Sequence, residues 1–469
     1  MEDITTHNAY FRLVRMTMRL CIYPLVFVSV FLSFLLFNLS CKKENIEPKI
    51  VDSATVSPTT NTTNTTNPTI TSTTNTNTTN TNTTNTINPT ITPTINPSTV
   101  TQTVVTTTAN VSIVTKYPLS VNSTNRVASI VVPSSTFAYW NANYYGGFTG
   151  NWDSVKVISN IVYQRFKDEF DFIFIITNNQ TKPSSQPYGV NFAIQNKVQG
   201  IGKSIFNNAA SYGSSGKLLS FMWLPWKYGI GGVTSNGGFY PGGPTLHELC
   251  HNWANHIPVG IFKTIDDTNP NLPEKDANDG HWGISDVGGQ LGGFASSSFQ
   301  SNVDGDPLKY HGHIGSSLGF GLNANGGNSV PYAPLELYMM GLISKADVPP
   351  IRTFSGINAN VSASTIISAF GNGNFWATTM RTYTIDELIQ ASGIGQRVPD
   401  FTASQKEYRT LVLVITPSAL TTDEWTVYDD QVSSFFKKGD DGVSSIYNFW
   451  EATGGRGWVK ADDLNLIMK

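Results

Sequence analysis

The stretch PTLHELCHNW, at positions 244–253, decides how the rest of the sequence is interpreted. On a helix, residues four positions apart share a face, so His247 and His251 present both imidazoles to one metal ion. Glu248 lies beside them, where its carboxylate reaches water at that metal. Random placement of 7 His and 11 Glu in 469 positions would give only about 0.002 such matches. The pattern therefore predicts a buried helix that carries a metal site.

A purely structural core helix is the competing interpretation of this stretch. It would bury two imidazoles and a carboxylate with no metal ion to balance them, which is unfavourable. Cys250, inside the motif, is expected to pack as a small apolar side chain, because free cysteine is commonly buried. A metal-binding helix accounts for the residues better.

The motif resembles the HExxH helix of the zincin metallopeptidases. This resemblance implies that His247 and His251 bind Zn²⁺ and that Glu248 is the catalytic general base that activates water. It also implies a zincin-like α+β domain with an active-site helix, Gly-rich loops and a protein or peptide substrate. A catalytic zinc usually has a third protein ligand, which the motif itself does not supply.

The third ligand is expected outside the motif. The metzincin pattern is not matched, because Ala254 stands at its Gly position and Ile257 at its ligand position. The gluzincin pattern is not matched either, because Glu274 lies in a stretch without helical character. His281 is the preferred ligand, since its flanking glycines let the backbone approach closely and imidazole is a favoured zinc ligand. The alternatives that stay open are His256, Glu336 and Asp286.

Three blocks follow one another in the chain: HELCHNW at 247–253, GHW at 280–282 and PLELYMMGL at 334–342. In this order they resemble a group of uncharacterised secreted bacterial lipoproteins, over a region from about Val127 to the carboxyl terminus. Residues 337–341 are interpreted either as a methionine-containing turn beneath the metal or as part of the core. The candidate oxyanion donors are Tyr338, His311 and His313.

Residues 1–41 have the pattern of a bacterial export signal. Arg12, Arg15 and Arg19 precede an uncharged, mostly apolar run at positions 20–41. Cys41 resembles the lipobox cysteine of lipoproteins, with Asn38 where that motif usually has Leu, and lipidation there would attach the chain to a membrane. An uncleaved signal anchor is the alternative. Both interpretations predict a location outside the cytoplasm, in the cell envelope as an outer-membrane lipoprotein, or secreted.

Residues 42–125 are predicted to form a disordered linker. Positions 61–100 contain 19 Thr and 10 Asn, and no charged residue occurs from Ser53 to Thr115. Such a segment has no apolar face to offset the entropy of ordering it. The whole chain has 30 Lys+Arg against 33 Asp+Glu and only 13% charged residues. Nucleic acid is therefore not expected as a partner, because phosphate neutralisation requires clustered positive charge.

Ordered sequence is expected from about Arg126, with a catalytic domain at 126–345 and a C-terminal α+β subdomain at 346–469 packed on it. Apolar runs predict strands at 127–132, 172–177, 218–226 and 409–415. Periodicity and capping residues predict three helices. The first begins at Asp153, the second begins after Thr384 and ends at Gly393, and the third ends by Gly439. This mixed order favours α+β over a doubly wound α/β sheet.

Together these features predict a membrane-tethered zinc metalloendopeptidase. One alternative is a non-catalytic binding or adhesion lipoprotein, suggested by the long linker and by the aromatic-rich stretch at 137–152. Another is a zinc hydrolase of a non-peptide amide bond, which would use the same residues on a different substrate.

Overall fold

The computed structural model of the chain describes residues 117–144, 153–181, 187–227, 243–254, 256–258, 260–265, 274–277, 280–358, 372–443 and 446–469. The predicted export signal, Cys41, most of the linker and residues 145–152 lie outside this part. The described residues belong to one compact unit. They begin before the expected start at Arg126, because Leu119–Val121 is a strand that pairs antiparallel with Val127–Val131.

The described residues form seven α-helices and fifteen β-strands, which confirms the predicted mixture of helix and strand. The helices are α1 (Ser134–Asn143), α2 (Asp153–Arg165), α3 (Thr245–Cys250), α4 (Pro334–Met340), α5 (Ile385–Ser392), α6 (Thr422–Phe435) and α7 (Phe449–Ala452). The strands are β1 (Leu119–Val121), β2 (Val127–Val131), β3 (Phe172–Thr177), β4 (Val190–Ala193), β5 (Gln195–Asn196), β6 (Phe206–Asn207), β7 (Ser220–Leu224), β8 (Lys263–Thr264), β9 (Lys275–Asp276), β10 (Gln300–Ser301), β11 (Lys309–His311), β12 (Ile351–Asn358), β13 (Asn374–Tyr383), β14 (Glu407–Thr416) and β15 (Trp458–Lys460).

Short-range sequence patterns predicted the positions of several helices and strands correctly. Strand β3 has the predicted bounds, and α5 begins after Thr384, whose hydroxyl accepts a hydrogen bond from the Glu387 N–H. The same helix ends at Gly393, which adopts the left-handed conformation at φ 68°. Helix α2 ends at Arg165 rather than continuing to Phe170, which instead packs as a buried residue after the helix.

The main sheet has seven strands in the order β1-β2-β14-β3-β7-β4, and β15 pairs with β14. Strands β2, β14, β3 and β7 run parallel to one another, whereas β1 is antiparallel to β2 and β4 is antiparallel to β7. The sheet therefore combines strands from 126–345 with the central strand β14 from 346–469.

Both faces of this sheet are covered. Along β3, Phe172 and Phe174 belong to one hydrophobic core and Ile173 and Ile175 to the other. Helix α2 lies on the second face, and α3, α4 and α6 contribute to the first. Helices therefore lie on both faces of the parallel centre of the sheet, whose strands are buried on both sides.

A second, antiparallel sheet has the order β10-β11-β13-β12. It packs around a small aromatic core that includes Phe294, Tyr310, Phe354 and Phe375. Within the described residues, no helix has the length and apolar character required to cross a membrane. The histidines of the motif lie where α3 meets β4 and a loop at 280–293.

Candidate metal centre

Helix α3 presents the two histidines of the motif on one side, as predicted. All six of its residues are buried, and His251 follows as the C-cap residue with its N–H toward the His247 carbonyl. The Nε2 atoms of His247 and His251 are 3.2 Å apart, and their ring planes are nearly perpendicular at 87°. The short helix thus directs both imidazoles to one point.

His281 brings a third imidazole to the same point from the 280–293 loop. Its Nε2 lies 3.3 Å from the Nε2 of His247. The ligand atoms of the three histidines all lie within 4.8 Å of one another. The structure therefore groups His281, rather than another candidate, with the two motif histidines.

The three nitrogens suit a tetrahedral metal ion. Ligands at about 2.0–2.1 Å from a tetrahedral zinc are about 3.3–3.4 Å from one another. The Nε2 of His247 lies 3.2 Å from that of His251 and 3.3 Å from that of His281. The Nδ1 of His247 is 2.9 Å from the Gln290 carbonyl oxygen, which can only accept. His247 therefore carries its proton on Nδ1, and its Nε2 lone pair is directed to the cluster.

Burial keeps these imidazoles neutral. Burial lowers the pKa of His247 and of His251, and the neighbouring histidines lower that of His251 further. Burial, together with the nearby His247, lowers the pKa of His281 to about 3. Neutral imidazole is the form that binds metals, so the site is prepared for a cation at neutral pH.

Glu248 follows His247 on α3, is buried, and lies next to strand β4. The Asn191 N–H donates a hydrogen bond to its carboxylate, and burial raises the pKa of Glu248 to about 8. Gly189 makes room for the side chain, because a Cβ there would lie 2.9 Å from the Glu248 Cγ. The carboxylate is therefore held in place by the sheet edge as well as by its own helix.

Gly280 is required next to His251. It has φ +92°, and a Cβ there would lie 2.9 Å from His251 Cε1. Gly260 offers a matched control, since it has φ +107° but a Cβ there would meet nothing within 4 Å. Both substitutions by alanine share the cost of a positive φ, and only one displaces the imidazole.

We expect Gly280→Ala to weaken zinc binding at least about tenfold, as displacing an orienting contact commonly does. Gly260→Ala should leave the affinity near that of the wild type. Competition with a chromophoric chelator measures both. Equal affinities for the two variants would show that the Gly280 contact does not position His251.

The other proposed third ligands lie outside the histidine cluster. The Nε2 of His256 is 3.3 Å from the His251 carbonyl oxygen, and burial lowers the pKa of His256 to about 4. Asp286 instead forms a salt bridge with Arg352 at 2.7 Å. The carboxylate of Glu336 accepts hydrogen bonds from four N–H groups. Each of these side chains thus has other partners, and none of them belongs to the group formed by His247, His251 and His281.

Two of the candidate oxyanion donors, Tyr338 and His311, have side-chain hydrogen-bond partners elsewhere, whereas the buried His313 Nδ1 has none among the described residues. The Tyr338 hydroxyl accepts a hydrogen bond from the Arg397 N–H, and the side chain is buried in α4. His311 lies 2.8 Å from the Asn374 side-chain oxygen in the second sheet, and the His311 and His313 rings are 5.9 Å apart. Residues 337–341 form the end of α4 and its C-cap and contribute to the core, as the second interpretation of this segment predicted. Cys250 is buried, as predicted.

Sequence reasoning missed the groups that act through the backbone. The Gln290 carbonyl, the Asn191 N–H and the backbone at Gly189 carry no side-chain signal. Lys203 was also missed, although its charge contributes to lowering the pKa of both His251 and His256. Of these backbone effects, the sequence indicated only one: the glycines at 280 and 283 suggested that the backbone beside His281 approaches other residues closely.

No protein-family model, curated protein or solved structure matches this chain.

Proposed function

We propose that the chain is a zinc-dependent metallopeptidase with a zincin-like active site. The observation that carries this proposal is the convergence of His247, His251 and His281, with the buried Glu248 on the same helix as two of them. The donor set consists of three imidazoles, which suits zinc and leaves one tetrahedral position for water or substrate.

The position of β4 supports a peptide as the substrate. Among the described strands, β4 is at the end of the main sheet, antiparallel to β7. Its residue Asn191 donates its N–H to Glu248, so this edge borders the site. An extended peptide is well suited to such an edge, because its main chain can add as a further strand.

A zinc ion held by the three histidines would supply a Lewis acid that polarises a carbonyl group and lowers the pKa of water. Glu248 then acts as the general base that takes a proton from the attacking water and later donates it to the leaving amine. A nearby dication favours the ionised carboxylate, which counteracts the effect of burial on Glu248. The Asn191 N–H keeps the carboxylate oriented through both proton transfers.

We also propose that the enzyme acts outside the cytoplasm. The export pattern at 1–41, the lipobox-like Cys41 and the uncharged Thr/Asn-rich stretch support a domain attached to the cell envelope by a long linker. A protein substrate in the surroundings of the cell fits this arrangement.

Zinc analysis and substrate profiling of the purified full-length chain test the function together. We expect one zinc per chain and cleavage of a proteome-derived peptide library, with loss of cleavage on chelation. Stoichiometric zinc without peptide cleavage, but with hydrolysis of cell-wall amides, would support the non-peptide hydrolase instead. Less than stoichiometric metal and no hydrolysis would favour the binding protein and contradict the proposal.

A further inference from the structure

Glu336 is a fully buried carboxylate on α4 that the proposed chemistry does not use. Its Oε1 accepts from the Trp282 Nε1–H at 2.9 Å and from the Leu291 N–H at 2.9 Å. Its Oε2 accepts from the Gln290 N–H at 3.1 Å and from the Ala333 N–H at 2.9 Å. Three of these four donors belong to the loop that contains His281.

One path leads from Glu336 to His281. Trp282 follows His281 directly, its ring is fully buried, and its backbone N–H donates to the Leu291 carbonyl at 2.8 Å. Glu336 therefore holds both the indole of Trp282 and the backbone of Leu291. With both ends of this loop segment fixed, the backbone at His281 has little freedom to move away from the cluster.

A second path leads from Glu336 to His247. The Gln290 N–H donates to Glu336, and the Gln290 carbonyl accepts from His247 Nδ1 at 2.9 Å. The side-chain amide of Gln290 also donates to the Val330 carbonyl. Gln290 thus connects the Glu336 carboxylate to the imidazole of His247, whose proton must stay on Nδ1.

The packing around Glu336 restricts its carboxylate to one position. Gly289 lies against it, and a Cβ at that position would overlap both carboxylate oxygens. Burial raises the pKa of Glu336, while the four N–H donors favour its ionised form. None of the ion pairs among the described residues includes Glu336.

We infer that Glu336 is the positioning residue of the metal centre, which holds His281 through Trp282 and His247 through Gln290. The inference rests on the metal-binding part of the proposed function. It assigns Glu336 a role in affinity and ligand geometry rather than in contact with the metal or the substrate.

The test compares Glu336→Gln and Trp282→Phe with the wild-type full chain. Glu336→Gln places an amide N–H₂ against N–H donors, and we expect zinc affinity to fall about 10- to 100-fold. Trp282→Phe removes one donor and retains an aromatic ring, so a loss of about 2- to 10-fold is expected. Chelator competition measures the affinity, and the visible spectrum of the Co²⁺-substituted protein reports the ligand geometry.

Asp171→Asn is the matched control. Asp171 is also a buried carboxylate, and it accepts from the Arg409 N–H at 2.8 Å and pairs with Lys217 at 2.8 Å, without contacting the histidines. This variant should lower thermal stability and leave the zinc affinity and the Co²⁺ spectrum unchanged. An equal loss of affinity in Asp171→Asn would overturn the inference, because the effect would then be general destabilisation.

The remaining outcomes separate the inference from the proposed function. Should Glu336→Gln fail to fold, the graded loss in Trp282→Phe decides. Unchanged affinity and spectrum in the folded variants, with zinc bound to the wild type, would overturn the inference alone. The expected losses in a protein that cleaves no peptide would support the inference and contradict the peptidase. A wild type that binds no zinc would overturn both.

Discussion

Glu248→Gln is expected to abolish turnover while zinc stays bound. The amide keeps the size and hydrogen-bonding reach of the side chain but cannot accept the proton of the attacking water. General acid–base catalysis contributes about 10²- to 10⁴-fold to rates, so the residual activity should be at or below the detection limit. Hydrolysis of casein or gelatin measures the rate, and metal analysis measures the zinc content.

Glu274→Gln is a suitable control for this variant. Glu274 accepts a hydrogen bond from the Ile357 N–H at 2.9 Å and lies outside the histidine cluster. Its substitution should therefore leave the rate nearly unchanged. A Glu248→Gln protein that cleaves casein as fast as the wild type would exclude Glu248 as the base.

His281→Ala is expected to remove stoichiometric zinc and the stability that zinc confers. A zinc ion at the proposed site would join α3 to the 280–293 loop, so it would stabilise the folded protein and not the unfolded chain. At free zinc about 1,000 times the Kd, binding contributes about 4 kcal/mol to the free energy of unfolding. With only His247 and His251 remaining, most of this zinc-dependent stabilisation should be lost.

Urea unfolding with and without added zinc measures the difference. His256→Ala is the matched control, because His256 is also a partly buried histidine near the motif but contacts the His251 carbonyl rather than the cluster. This control should retain zinc and its stabilisation. If His256→Ala loses zinc and His281→Ala retains it, the assignment of the third ligand is wrong.

The sequence predicted the part of the site that depends on local periodicity. The spacing of His247 and His251 follows from helix geometry, and the structure shows their nitrogens together. His281 was the preferred third ligand because glycines flank it. Its approach to α3 depends on the course of the 280–293 loop, which cannot be predicted from the spacing of residues in the sequence. Glu336 shows the limit of prediction from sequence. Its place in the 334–342 block made it a candidate metal ligand, and only the structure shows that its carboxylate instead accepts hydrogen bonds from four N–H groups.

The fold shows the same division between local and long-range information. Strand β3 and helix α5 were predicted from composition and capping, which act within a few residues. The parallel centre of the main sheet was missed, because the pairing of β14 with β2 joins residues almost 300 positions apart. No local pattern encodes which strands become neighbours.

The central place of β14 also determines when the protein can fold. Strands β2 and β3 flank it on either side, yet residues 407–416 are synthesised long after both. Until then the facing edges of β2 and β3 have no partner, and unpaired edges invite association with other chains. Non-local pairing of this kind is slow to form. Every proposed metal ligand precedes residue 282, but the sheet that supports them closes only after residues 407–416 have emerged. The domain therefore depends on protection from aggregation during its synthesis.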